Sequence, residues 1–178
     1  MERVKVLDKE FELTISEENI LKAVDDVANR INRDLEGKNP LMLCVLNGSF
    51  MFASDLMKRI TIPCEISFVK LSSYQGTGSS GKVKELIGLN EDIEGRTVVL
   101  LEDIVDTGLT ICNTIDQVKA LGPADVRVAT MLFKPDACKK DVTLEYVGMS
   151  IPNDFIVGYG LDYDGYGRNL RNIYTLVE

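Results

Sequence analysis

The chain has 178 residues, 45% of them apolar and 27% charged, and its 28 acids against 20 Lys and Arg give a formal net charge of -8. This length and balance predict one globular domain, residues 1–178, with a sizeable core, and they exclude wholesale disorder. The acidity excludes a general nucleic-acid binder, which needs clustered basic side chains. It leaves room for a phosphorylated small molecule held by backbone N–H groups and a divalent cation.

No apolar run reaches the length of a membrane span, and residues 1–6 alternate charge with Val, unlike a signal peptide. Cys44, Cys64, Cys112 and Cys138 are scattered without a paired motif, so reduced thiols in a cytoplasmic protein are expected. The chain contains no histidine. That removes Ser-His-Asp and Cys-His catalysis, His-ligated zinc and imidazole acid–base chemistry. Proton transfer falls to a carboxylate, Lys, Tyr or Cys, or to the substrate itself.

In chain order, Ser16 is a good N-cap and Glu17 and Glu18 suit the positive end of a helix. Ile20, Leu21, Val24, Val27, Ala28, Ile31 and Leu35 recur on one helical face, and Gly37 offers a stop. The continuous apolar run 41–46 predicts a strand buried on both faces, broken by Asn47, Gly48 and Ser49. Helical spacing resumes over 50–60 through Phe52, Leu56 and Ile60. Strands are predicted at 66–71, 98–104, 126–133 and 155–159. A helix carrying Ile111, Ile115, Val118 and Leu121 follows the second of these and is stopped by Gly122 and Pro123. This alternation predicts an α/β fold, a mostly parallel twisted sheet flanked by helices on both sides. Ligands in such sheets collect beyond the carboxyl ends of the strands, so the breaks after Leu46, Ile104, Phe133 and Tyr159 should share one rim. The Gly- and Ser-rich stretch 72–90 interrupts the rhythm and is expected to be a long functional loop.

The run 98–110 carries the chemistry. Apolar residues lead into Glu102 and Asp103, then Asp106, Thr107 and Gly108 turn into a helix. Such a turn presents successive N–H groups to an anion, Gly108 allows close backbone approach, and Thr107 and Thr110 add hydroxyls. The upstream acids would repel a phosphate they faced, so they are better suited to sugar hydroxyls or a hydrated cation. Capping by Asp106 is the plainer alternative.

This run resembles the phosphoribosyl-diphosphate signature of the type I phosphoribosyltransferases: an apolar strand, two acids, two apolar residues, then Asp-Thr-Gly-x-Thr. The likeness extends over residues 41–171. Leu46 to Ser49 resembles the family's diphosphate loop, and Ser73 with Tyr74 its flexible-lid dipeptide. Lys134 with Pro135 resembles the purine-contacting lysine segment, and 155–163 the purine pocket. Arg168 stands where the family places a diphosphate-contacting arginine.

The resemblance implies a type I phosphoribosyltransferase fold with a small C-terminal purine-binding hood and a lid loop. It further implies Mg²⁺-dependent purine salvage from hypoxanthine, and guanine, with phosphoribosyl diphosphate. In that scheme Asp106 accepts the purine proton, and Glu102, Asp103, Asp106, Thr107, Gly108, Leu109 and Thr110 bind the sugar-phosphate. Asn47, Gly48 and Arg168 bind diphosphate. Lys134, Phe155, Ile156 and Asp162 bind the purine, with Glu102, Asp103 and Asp162 serving the metal. Leu109 replaces a commonly polar residue, so only its N–H serves. Asn47 replaces the Lys of several relatives, and the family's peptide before it can be cis. A positive donor at Lys134 favours a 6-oxo over a 6-amino purine, because a mismatch leaves buried polar groups unpaired. The alternatives are a xanthine-preferring sibling and a non-catalytic nucleotide sensor, the latter calling for a basic nucleic-acid-binding face, against which the chain's net acidity counts. The implied partners are small-molecule substrates and further copies of the chain, as a dimer or tetramer, with neither nucleic acid nor membrane.

Overall fold

The structure, a computed structural model, describes residues 2–74 and 83–177, apart from the side chains at 73, 74, 83 and 84. Among the described residues, ten strands and three helices run in the order β1 (Arg3–Val6), β2 (Lys9–Ile15), α1 (Glu17–Asp34), β3 (Leu41–Leu46), α2 (Phe50–Met57), β4 (Glu65–Tyr74), β5 (Val83–Ile87), β6 (Thr97–Val105), α3 (Leu109–Lys119), β7 (Asp125–Phe133), β8 (Tyr146–Ser150), β9 (Ile156–Val157) and β10 (Ile173–Leu176). They form a six-stranded sheet in the order β5-β4-β3-β6-β7-β8 and a four-stranded sheet in the order β1-β2-β10-β9.

In the larger sheet β4, β3, β6, β7 and β8 are parallel and only edge strand β5 is antiparallel. The sequence of β3 explains its central place. Period-2 alternation sends Met42 and Cys44 into a core shared with α1 and α2, and Leu41, Leu43 and Val45 into a second core shared with α3. Strand β6 divides in the same way, with Val99 and Leu101 on the first side and Val98 and Leu100 on the second. Helix α1 begins where Ser16 accepts from the Asn19 N–H at 3.3 Å, and its Ile20, Val24, Val27, Ala28 and Ile31 stripe is buried.

Four sequence expectations change. The strand expected over 155–159 shrinks to β9 and joins the smaller sheet, because it pairs with β10. Only the breaks after β3, β6 and β7 therefore belong to the carboxyl rim of the parallel sheet. The hood is not C-terminal alone: β10 pairs with β2 across the chain, so both ends of the sequence build it. The stretch expected as a loop over 72–90 contains β5, paired with β4 through Lys70↔Ile87 to Tyr74↔Val83. Ser73 and Tyr74 lie on the β4 backbone, while their side chains and residues 75–82 lie outside the described residues. Leu121 falls beyond α3 and is half exposed, not a core residue. No helix among the described residues is long and apolar enough to cross a membrane.

Candidate active site

The carboxyl ends of β3, β6 and β7 deliver Asn47 and Gly48, the 102–110 run, and Lys134 to one region. Strand β6 continues past the acids to Val105, so Glu102 and Asp103 sit inside the strand rather than at its end. Glu102 is buried, and burial followed by the neighbouring Asp103 charge raises its carboxyl well above the usual range. Burial likewise pushes the Asp103 carboxyl up to about 6, against the pull of the Ile104 N–H, which donates to Asp103 Oδ1 at 2.7 Å. Holding buried Glu102 and its half-buried neighbour Asp103 both in charged form is therefore costly.

From Val105 the chain turns through Asp106 and Thr107 to Gly108, whose φ of 84° lies in the left-handed region that favours glycine. Gly108, not Asp106, is the N-cap of α3, so the capping alternative for Asp106 falls away. Glu102, Asp103, Asp106, Thr107, Gly108 and Thr110 line a cleft of about 230 Å³ at the helix N-terminus. The loop after β7 supports this turn from behind. Lys134 N–H donates to Val105 O at 3.0 Å and Lys139 N–H to Thr107 O at 2.9 Å. Leu109 is exposed at the first helical position.

The turn after β3 approaches from the other side. The Leu46–Asn47 peptide is cis. Gly48 passes so close to Asp103 that a Cβ there would overlap the carboxylate. Gly160, at φ 96°, backs onto the Gly48 carbonyl with equally little space. Arg168 donates to Gly160 O at 2.7 Å and pairs with Asp162 at 3.0 Å, so the predicted diphosphate residues Gly48 and Arg168 are linked through Gly160.

Lys134 closes the third side. It is buried, donates through Nζ to the Asp154 carbonyl at 2.7 Å, and stands 3.7 Å from Asp106 Oδ2. Phe155, next to Asp154, is half exposed and meets Tyr163 edge-on at 6.0 Å and Phe11 at 6.2 Å. An open aromatic face thus lies in the segment that anchors a buried cation, which suits a flat ring bearing a polar acceptor.

A family model described as a phosphoribosyl transferase domain matches residues 14–164. The hypoxanthine-guanine phosphoribosyltransferase of Streptococcus thermophilus is 40% identical over 175 residues, covering 97% of each chain. That of Mycobacterium tuberculosis is 41% identical over 169 residues, covering 91% of this chain and 84% of the other. The chain belongs to the hypoxanthine-guanine phosphoribosyltransferase family. Its structure agrees: a hypoxanthine phosphoribosyltransferase crystal structure from Staphylococcus aureus superimposes with a TM-score of 0.86 at 36% identity, covering 93% of this chain and 91% of the other.

A phosphoribosyltransferase of this family is an enzyme of pentosyl transfer, and its fold is the type I fold. The acids Glu102, Asp103 and Asp106 share the cleft, and Lys134 joins Asp106. Asp162 stands apart from the buried acid pair in one respect, because Arg168 and the Gly165 N–H, at 2.7 Å, already occupy its oxygens. Among the described residues no three Asp, Glu, Cys or His side chains form a preassembled metal cage. A cation that keeps its waters and binds through one or two carboxylates plus substrate oxygens needs no such cage, so Glu102 and Asp103 fit Mg²⁺. Sequence reasoning missed Phe11 and Asp154. Phe11 was detectable from the alternation Phe11, Leu13, Ile15 in β2. The Asp154 contribution is a backbone carbonyl, which no side-chain pattern reveals.

Proposed function

We propose that this chain converts hypoxanthine, and guanine, with phosphoribosyl diphosphate into the corresponding nucleoside monophosphate and diphosphate. The observation that supports this reading above others is the pairing of buried Lys134 with Asp106 at the mouth of the Glu102-to-Thr110 cleft. One cation would then read the purine 6-oxo group beside the carboxylate that takes the purine proton.

The purine nitrogen attacks the anomeric carbon of the sugar, the bond to diphosphate breaks, and the leaving group departs with the electron pair. By analogy with glycoside chemistry the transition state has oxocarbenium character. Phe155 stacks on the purine, and Ile156 offers backbone groups to its two-position. The 106–110 turn holds the 5′-phosphate through N–H groups, Leu109 contributing its N–H alone, and through the Thr107 and Thr110 hydroxyls. Glu102 and Asp103 hold the ribose hydroxyls. Gly48 and Asn47 N–H groups and the Arg168 guanidinium meet the diphosphate. Glu102 and Asp103, with Asp162 once Arg168 turns to substrate, would hold Mg²⁺, which neutralises charge on the leaving diphosphate. Tyr74 and Ser73 would exclude water from the cationic sugar. The chain works as one domain in a cytoplasmic homo-oligomer, a dimer or tetramer.

The test is diphosphate release with hypoxanthine, guanine, xanthine or adenine, each with phosphoribosyl diphosphate and Mg²⁺. Turnover of the 6-oxopurines without adenine is expected. Turnover of adenine alone would remove Lys134 from the recognition role, and preference for xanthine would move the chain to the sibling activity.

A further inference from the structure

Tyr159 is a buried, bulky residue held at φ 48°, in the left-handed region. Such a conformation persists only where neighbouring contacts over-determine it, and those contacts are the informative part. Its N–H donates to Leu170 O at 2.7 Å, and its phenol donates to Asp55 Oδ2 at 2.6 Å. Burial, and then the bond to Asp55, push the phenol's pKa up, so it remains a donor. Asp55 lies on α2, the helix that starts directly after the Gly48 turn, and its other oxygen takes Lys58 Nζ at 2.8 Å.

The next residue, Gly160, is the one that backs onto the Gly48 carbonyl and accepts from Arg168. The segment 159–160 therefore meets the 48–57 stretch at two places. Gly160 meets the turn that precedes α2, and Tyr159 reaches Asp55 on the helix, five residues beyond Phe50, where it starts. Two fixed points, one on the turn and one on the helix that follows it, define both the spacing and the angle of the approaching backbone, which a single contact does not.

We propose that Tyr159 is a positioning residue for diphosphate recognition. Its hydrogen bond to Asp55 fixes the hood against α2, and so holds the Gly48 N–H and the Arg168 guanidinium in the arrangement that meets diphosphate. This rests on the assignment of Gly48 and Arg168 to the diphosphate. Donor groups fixed before the ligand arrives bind it better than groups that must be ordered on arrival. A merely structural Tyr159 would change stability and leave affinity alone.

The experiment is calorimetric titration of inorganic diphosphate, in Mg²⁺, into the full-length chain and its Tyr159→Phe, Asp55→Leu and Asp55→Asn variants. Steady-state constants for phosphoribosyl diphosphate and melting temperatures accompany it. Tyr159→Phe and Asp55→Leu are expected to weaken diphosphate binding about tenfold and to raise KM for the sugar donor by a like factor, with kcat changed less than about threefold. Asp55→Asn keeps a carbonyl acceptor for the phenol, so its diphosphate affinity should stay within about twofold of the parent. Inosine monophosphate, which carries no diphosphate, should bind all four chains alike. Parental diphosphate affinity in Tyr159→Phe, with or without a lowered melting temperature, overturns the inference. So does a loss in Asp55→Asn equal to that in Asp55→Leu. Should the parent chain turn over hypoxanthine yet fail to bind diphosphate, the placement of the diphosphate at Gly48 falls, and this inference with it.

Discussion

At Gly48 the backbone runs so close to Asp103 that no side chain fits between them. Gly48→Ala must therefore push either the carboxylate or the turn after β3 aside. A displacement of about 1 Å in a reacting constellation costs on the order of 100-fold in rate, and that is the expected fall in kcat/KM for the sugar donor. The added methyl lies at the site rather than in either core, so the melting temperature should change little. Parallel measurement of both quantities checks this, and full activity would show that the carboxylate position is not critical. Asp106 lies 3.7 Å from Lys134 Nζ and is half exposed. Asp106→Asn keeps the shape and a hydrogen-bonding group but removes the basic oxygen. Turnover is expected to fall at least about 100-fold, with sugar-donor affinity changed far less, as read by kcat against Kd. Equal turnover would leave proton acceptance to another group.

Strand β6 is the element on which the site depends, since it carries Glu102 and Asp103 at their places and feeds the 106–108 turn. Its inner residues lock it between both cores: Leu100 is fully buried in the α3-side core and pairs with Leu43 and Val128 across the sheet. Leu100→Ala removes packing that a parallel sheet enclosed on both faces cannot easily close over. A loss of about 2–5 kcal/mol in unfolding free energy is expected, measured by urea titration. A cost below about 1 kcal/mol would mean that the sheet relaxes around the gap. Helix α3 contributes differently: Gly108 offers no side-chain cap, and the one side-chain bond at this end is the long one from the Leu109 N–H to Thr107 Oγ1 at 3.4 Å, which an anion at the turn can replace.

Across the whole molecule, the hood and the larger sheet meet where Tyr159 reaches Asp55. Burial by itself would raise the Asp55 carboxyl, but hydrogen bonds from Lys58 and Tyr159 outweigh it and hold the group below the usual carboxylate range. A carboxylate depressed in the folded state binds protons more readily when unfolded. Its stabilisation is therefore complete above the unfolded value and is lost as pH falls through the folded one. The difference in unfolding free energy between the parent chain and Asp55→Asn should stay constant above about pH 5 and shrink below about pH 4. Denaturation across that range measures it, and a difference that grows on acidification would reverse the sign of the argument.

The sequence by itself determined the acid-bearing strand and turn of this protein, the part to which we assign the sugar-phosphate, because that part is written locally. A buried apolar strand, two acids, a third acid and a Thr-Gly turn lie within 13 consecutive positions, 98–110, and strand, turn and helix form from neighbours along the chain. The helical stripe of α1 and the double-faced run of β3 are legible for the same reason: periodicity is a local signal. The tertiary structure decided what long-range pairing controls. Residues 155–159 read as one more strand of the parallel sheet, yet β10 draws Ile156 and Val157 into a sheet whose other half begins the chain. Phe11 reaches Phe155, Asp154 anchors Lys134 through a carbonyl, and Tyr159 finds Asp55 across 104 positions of sequence. Close backbone approach between Gly48, Asp103 and Gly160 likewise depends on how three segments stack. A chain's local pattern can specify which groups are present, while the distances between them follow only from the packing that brings both ends of the sequence over one strand rim.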